Sequence, residues 1–173
     1  MLTWDVRPGG GVGPIEFGMT SSDVQRILGK PEFCDNPEVP LGGPYPADER
    51  VTEFRMFDYS NEKYQPDVSF FSNRVVSLDV YTLHESLKLQ DVALFKNTPT
   101  VLADILKGMS KSYAFDDTSY IFLDLSIALS LETWEISKTV TIFAVGEFDE
   151  FVEDGVEDGT LTWVRDRKRG FVG

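Results

Sequence analysis

The chain has 173 residues, with 16 lysines and arginines against 29 aspartates and glutamates, so its formal net charge is −13. Hydrophobic residues make up 42% and charged residues 26%, which is typical of a globular protein and excludes a disordered chain, a collagen and a coiled coil. The charge argues against nucleic acid and anionic membranes as partners, because both attract basic surfaces. It suits a basic partner, or simple solubility.

The first predicted helix covers residues 21–28. Thr20 precedes it as a good N-cap, and Asp23 stands three residues later, where a capping box places its second member. Gly29 and Pro31 end the helix. One apolar stripe runs along it and consists of Val24, Ile27 and Leu28.

Strands are predicted after this helix at residues 51–58, 67–71 and 74–81, and Ser72-Asn73 forms a two-residue turn between the last two. In the run 74–81, apolar residues alternate with other residues, which is the period of a half-buried strand. Residues 34–50 contain four prolines and two glycines, so they are expected to form a long ordered loop or a mobile flap.

The second half begins after a connection at residues 84–90. Thr98 caps a second predicted helix, Pro99 takes its first position, and Gly108 ends it. Its core-facing residues are Val101, Leu102, Ile105 and Leu106. The strands expected after this helix cover residues 119–124, 125–131 and 138–145.

The two halves share a pattern. A shift of 78 positions superposes Phe17 on Phe95, Thr20 on Thr98 and Leu28 on Leu106. The sequence therefore predicts an α+β fold of two tandem divergent repeats, each with a short helix packed on a three- to four-stranded antiparallel meander sheet. The first repeat covers residues 1–84, the second covers residues 85–160, and residues 161–173 form a basic C-terminal tail.

The run from Gly13-Pro14-Ile15-Glu16-Phe17-Gly18-Met19-Thr20 to Leu28-Gly29-Lys30-Pro31 resembles a known bacterial motif. The motif is found in outer-membrane assembly lipoproteins of the SmpA/OmlA type and, twice in tandem, in the β-lactamase inhibitory protein family. This resemblance implies short helices on a four-stranded antiparallel sheet in each repeat. The second half keeps a degraded form, with Lys96-Asn97-Thr98 in place of Gly-Met-Thr. The likeness extends to uncharacterised intracellular bacterial proteins of two-repeat layout, and it carries over no inhibitory contact residue.

The compartment is inferred from cysteine content and from the first residues. Cys34 is the only cysteine, so no intramolecular disulfide can form, which favours a reducing compartment. The first residues contain no basic region followed by an apolar run, so no secretory signal is expected. No stretch approaches the roughly 18 apolar residues of a membrane span. We therefore expect a cytoplasmic protein.

The sequence contains no pattern that specifies a reaction. Cys34 and His84 could form a nucleophilic pair only if the fold brought them together with a third, orienting group. The acidic run 147–158 lacks the ligand spacing of an EF-hand loop, and the glycine-rich run 9–13 lacks the lysine of a P-loop. We therefore expect no enzyme activity, no metal and no cofactor.

The acidic run 147–158 is the strongest candidate for a binding surface. It holds seven acids and no base, interleaved with large apolar rings that can anchor a basic partner. The predicted partner-binding residues are Trp134, Phe148, Asp149, Glu150 and Phe151. The predicted function is noncatalytic protein binding, in its sharpest form by a bacterial inhibitor or immunity-type protein whose acidic face covers a basic partner. The alternative is a small-ligand or metal-sensing domain that uses the concave sheet face or the 34–50 flap.

Overall fold

The computed structural model describes residues 4–31, 33–35, 54–58, 66–81, 86–131 and 139–165. Within these ranges the chain has an α+β architecture of three α-helices and two β-sheets, which confirms the predicted class. None of the helices in these ranges is long and apolar enough to cross a membrane.

The helices are α1 (Ser21–Leu28), α2 (Pro99–Met109) and α3 (Asp149–Glu157). The bounds of α1 agree with the prediction. Its capping box is formed, because the Asp23 N–H donates to the Thr20 hydroxyl at 3.2 Å and the Thr20 N–H donates to the Asp23 carboxylate at 3.1 Å. Helix α2 begins at Pro99 as predicted, but Gly108 does not end it. Gly108 stays helical and Ser110 is the C-cap, where its N–H donates to the Leu106 carbonyl.

Among the described residues, the larger sheet has nine strands in the order β14-β10-β11-β12-β13-β7-β6-β5-β4, and all neighbouring pairs are antiparallel. At its centre β7 pairs with β13, with Val80 opposite Val140. The strands are β4 (Phe33–Asp35), β5 (Phe54–Asp58), β6 (Asp67–Phe71), β7 (Arg74–Tyr81), β10 (Ser112–Phe115), β11 (Ser119–Phe122), β12 (Ile127–Ser130), β13 (Thr139–Phe143) and β14 (Thr162–Arg165).

The β6–β7 hairpin confirms its prediction in both strands. Ser72 and Asn73 both have positive φ, at 47° and 58°, as a two-residue hairpin turn requires. The predicted strand at 119–124 ends earlier, at Phe122, because the chain then forms a 3₁₀ turn at Leu123–Leu125 before β12. Strand β10 was not predicted at all.

Two segments differ from their predicted roles. Cys34 begins the predicted 34–50 loop, but it lies in strand β4, and residues 36–50 are outside the described residues. The predicted tail at 161–173 contributes β14, in which Trp163 lies opposite Ala114 of β10. Residues 166–173 are also outside the described residues.

The smaller sheet joins the start of the chain to the segment predicted as a connection. Its order is β3-β2-β1-β8-β9, and β1 runs parallel to β8, with Trp4 opposite Leu87. Leu87 and Leu89 are fully buried, so the described part of this segment, residues 86–90, is more than a linker. The strands are β1 (Trp4–Arg7), β2 (Gly11–Val12), β3 (Ile15–Glu16), β8 (Leu87–Leu89) and β9 (Val92–Ala93).

The larger sheet has apolar residues on both of its faces. One face carries Phe122 and packs in a core that includes Val24 of α1 and Leu102 of α2. Successive strand residues point to opposite faces, so Ile121 lies on the other face, in a smaller cluster with Val152 of α3. Helix α3 therefore covers the face of the sheet opposite to α1 and α2.

Candidate functional site

Helix α3 forms within the acidic run, where no helix was predicted. Its apolar residues Phe148, Val152 and Val156 recur every four positions, so they fall on one side of a helix. Asp149 and Glu150 lie in its first turn, where the helix dipole favours negative charge. The run is therefore an amphipathic helix that packs on the sheet.

Helix α3 and strand β14 approach each other closely at Gly155. A methyl group at this position would lie 2.6 Å from Cδ1 of Leu161, so no larger residue fits without movement. The Leu161 N–H donates to the Gly155 carbonyl at 2.7 Å. This contact fixes the end of the helix against the start of β14.

The start of α3 carries a pair of phenylalanine rings with different exposure. Phe148 is half-buried, and its ring centroid lies 4.4 Å from that of Phe143 in the sheet. Phe151 packs edge-on against Phe148 at 6.1 Å but leaves 58% of its surface exposed. Phe148 thus holds an exposed ring in place at the protein surface.

The structure brings four of the five predicted partner-binding residues together. Phe148, Asp149, Glu150 and Phe151 form the N-cap and first turn of α3. Trp134 lies outside the described residues, so its position relative to this turn stays a prediction.

An open groove of about 470 Å³ lies along the other flank of α3. On the sheet side it is lined by Leu123, in the 3₁₀ turn after β11, and by Trp163 of β14. On the helix side the lining residues are Asp149, Val152, Glu153, Val156 and Glu157. The sequence interpretation named only Asp149 of this set. The four-residue spacing of Val152 and Val156 in the sequence indicates that both lie on one side of a helix, and it could have identified the helix wall of the groove.

Two carboxyl groups next to α3 have shifted pKa values. Hydrogen bonds from the Thr160 hydroxyl and N–H lower the pKa of Asp158. Partial burial raises the pKa of Glu147. The two groups flank the helix at opposite ends, and neither lines the groove.

A second polar site lies on the sheet face that α3 shares. Asp67 of β6 is opposite Asp79 of β7, and Asp67 is buried. The Tyr81 hydroxyl donates to the Asp67 carboxylate at 2.5 Å, and the Thr141 hydroxyl donates to Asp79 at 2.6 Å. Burial raises the pKa of Asp79, and the Thr141 hydrogen bond opposes this only in part.

The buried Asp79 predicts a pH-dependent stability difference. Its pKa is higher in the folded chain than in the unfolded chain, so ionised Asp79 destabilises the fold above the raised pKa, and this penalty disappears as the pH falls towards 3.8. Asp79→Asn keeps an acceptor for Thr141. We expect it to raise the free energy of unfolding at neutral pH, with a gain that vanishes below the ordinary aspartate pKa.

Urea titrations of Asp79→Asn at several pH values measure this difference. Asp91→Asn is the control, because Asp91 is exposed in the turn between β8 and β9 and loses the same charge. An equal gain in both variants at neutral pH would assign the effect to net charge and contradict the burial argument.

The catalytic pair and the metal site considered from the sequence fall partly outside the described residues. Cys34 belongs to β4, whereas His84 lies outside the described residues, so the position of this pair relative to each other is not described. Among the described residues, no three histidine, cysteine, aspartate or glutamate side chains cluster in a way that could hold a metal ion.

Comparison with known proteins added no relative to this picture. The chain matches no protein-family model, no curated protein sequence and no solved structure. The features of the molecule that bear on its function are therefore the surface of α3 and the polar site between β6 and β7.

Proposed function

We propose that this chain is a noncatalytic protein-binding protein whose acidic α3 surface covers a basic partner. The observation that carries the proposal is the exposed Phe151 ring, held by Phe148 in a segment with seven acids and no base. Val145, just before the helix, leaves 79% of its surface exposed. Large apolar groups rimmed by charge are the usual composition of a protein interface.

The geometry of the two rings favours binding. Phe148 packs on Phe143, so the Phe151 ring is supported before a partner arrives, and less side-chain freedom is lost on binding. The surrounding carboxylates attract a basic partner over a distance, which speeds association and makes it sensitive to salt.

The inhibitor or immunity-type function, in a reducing compartment such as the cytoplasm, is the sharpest form of the proposal. This form of the proposal includes the inference that the chain consists of two tandem repeats. Thr20 and Thr98 both cap helices, and Leu28 and Leu106 are buried at equivalent helix positions. Each helix precedes four antiparallel strands, and the two sets adjoin at β7 and β13. This layout supports the resemblance to the tandem-repeat inhibitory family.

Affinity capture with the purified protein as bait tests the proposal. We expect a stoichiometric basic protein from source-cell lysate at low salt, its loss at high salt, and its loss with Phe151→Ser. Val101 was predicted to face the core, but it is exposed on α2 and lies away from α3, so Val101→Ser is the matched control. A partner retained by Phe151→Ser, or one insensitive to salt, would contradict the proposed surface.

The polar site between β6 and β7 favours a second candidate function, the binding of a small polar ligand. The Asp67 and Asp79 carboxylates lie opposite each other on one sheet face, and each accepts a hydrogen bond from a neighbouring hydroxyl. A thermal-shift screen with metabolites tests it, because a ligand bound only by the folded chain raises Tm. A ligand shift that Asp79→Asn abolishes, with no captured protein, would favour this function over protein binding.

A further inference from the structure

The groove beside α3 is apolar on both of its walls. Val152 is almost fully buried where the helix meets the sheet, but Val156, one turn further on, leaves 40% of its surface exposed. Leu123 and Trp163 face it from the sheet side and are only partly buried. A volume of about 470 Å³ is sufficient for bulky side chains of a ligand.

The rim of the groove carries a row of carboxylates. Asp149, Glu153 and Glu157 follow each other at four-residue intervals, so they project from one side of α3 about 6 Å apart. Within the part of the chain that the structure describes, none of these three side chains makes a hydrogen bond or an ion pair. The groove therefore combines apolar walls with a regular row of negative charges that no described cation neutralises.

We propose that this groove binds a short basic segment of a partner protein. A bulky apolar side chain of that segment enters between Val156 and Trp163, and flanking lysines or arginines pair with the carboxylate row. Cations one helical turn apart, or two residues apart in a strand, match the spacing of about 6 Å. This inference rests on the proposed function and names the partner segment that the α3 surface recognises.

Charge complementarity favours this occupant over a second copy of the chain and over an uncharged ligand. A second copy of the chain would bring a net charge of −13 against the same acidic row, so self-association through this groove is disfavoured. An uncharged apolar ligand would fill the walls but leave Glu153 and Glu157 without partners. Only a segment that is both apolar and cationic uses both features of the groove.

The groove and the Phe151 ring lie on different flanks of α3. At about 100° per residue, Phe151 and Glu153 are about 160° apart around the helix axis. Substitutions can therefore change one surface and leave the other intact, so the two proposals can be tested separately.

Calorimetry with synthetic peptides tests the groove. The probe is a lysine/leucine peptide long enough to span the three carboxylates, about 12 Å apart at the ends. A glutamate/leucine peptide of the same pattern and a lysine/glycine peptide serve as controls. We expect only the lysine/leucine peptide to bind, and we expect Glu153→Lys to weaken its binding by about tenfold or more.

Asp154→Lys is the matched protein control. Asp154 is the next residue on the same exposed helix, makes the same charge change and does not line the groove. We expect it to change the affinity by less than about threefold, and Glu153→Gln to fall between the two. Three outcomes would overturn the inference: no binding of the lysine/leucine peptide, equal binding of either control peptide, or equal weakening by Glu153→Lys and Asp154→Lys.

The same variants separate this inference from the proposed function. A captured partner that Phe151→Ser loses but Glu153→Lys retains would uphold protein binding and overturn the groove as its site. Specific peptide binding in the groove with no captured partner at either salt would uphold the groove and count against the proposed function.

Discussion

Gly11→Ala is expected to lower the free energy of unfolding by about 3 kcal/mol. Gly11 has φ of +133°, which L side chains rarely adopt, and an added methyl group would lie 2.2 Å from the Ile15 carbonyl oxygen. This contact is with backbone, so no side-chain rotation relieves it. Strand β2 would have to separate from β3, which would expose Val12 and Ile15, both fully buried in the core.

Gly108→Ala is the matched control for this prediction. Gly108 lies in the last turn of α2, and an added methyl group there meets nothing within 4 Å. Alanine favours a helix over glycine by up to about 1 kcal/mol, so this variant should be more stable than the wild type. Urea unfolding followed by circular dichroism measures the free energy of unfolding of both variants. A Gly11→Ala variant as stable as the wild type would contradict the prediction, because β2 and β3 would then separate at no cost in stability.

The second large effect is expected for Phe143→Ala, which should lower the free energy of unfolding by about 3–5 kcal/mol. Phe143 is almost fully buried, and the ring of Phe148 packs against it. Its removal leaves a cavity beneath the start of α3, the helix that carries both proposed binding surfaces. We therefore expect faster amide exchange in α3 than in α1, in addition to the loss of stability.

Phe151→Ala is the control for Phe143→Ala, because it makes the same change on the exposed ring of the same cluster. Its effect on the free energy of unfolding should stay within about 0.5 kcal/mol, as for most surface substitutions. A similar decrease in the free energy of unfolding of the two variants would show that the exposed ring stabilises the fold. This result would contradict the proposal that Phe151 is exposed in order to bind a partner.

The sequence predicted those parts of the fold that local chemistry determines. Thr20 and Asp23 specify the start of α1, and Ser72-Asn73 specifies the turn between β6 and β7. The smaller sheet was missed because its strands have only two to four residues, too few for a period to be read. Its central pair brings Trp4 next to Leu87, and no local pattern indicates such a distant contact.

In the candidate site, too, the sequence predicted some residues and missed others. The sequence predicted Phe148 and Phe151 as anchors, because these large apolar groups are interleaved with acids. It missed the helix, because Phe148 stands at the N-cap without a capping hydrogen bond from its side chain, so no cap residue marks the start. Leu123 and Trp163 could not have been found from their neighbours, because only the pairing of β14 with β10 brings them to the groove.

The pairing of β7 with β13 has a consequence for the order of folding. Neighbouring strands of β4–β7 and of β10–β13 are near in sequence, but Tyr81 pairs with Thr139 across a long stretch of chain that includes α2 and the strands β8 to β12. Closing a longer loop loses more chain entropy, so such contacts form late. The parallel β1–β8 pair also joins distant segments. The two meanders should therefore gain structure early, and the rate of folding should be set by the step that joins them.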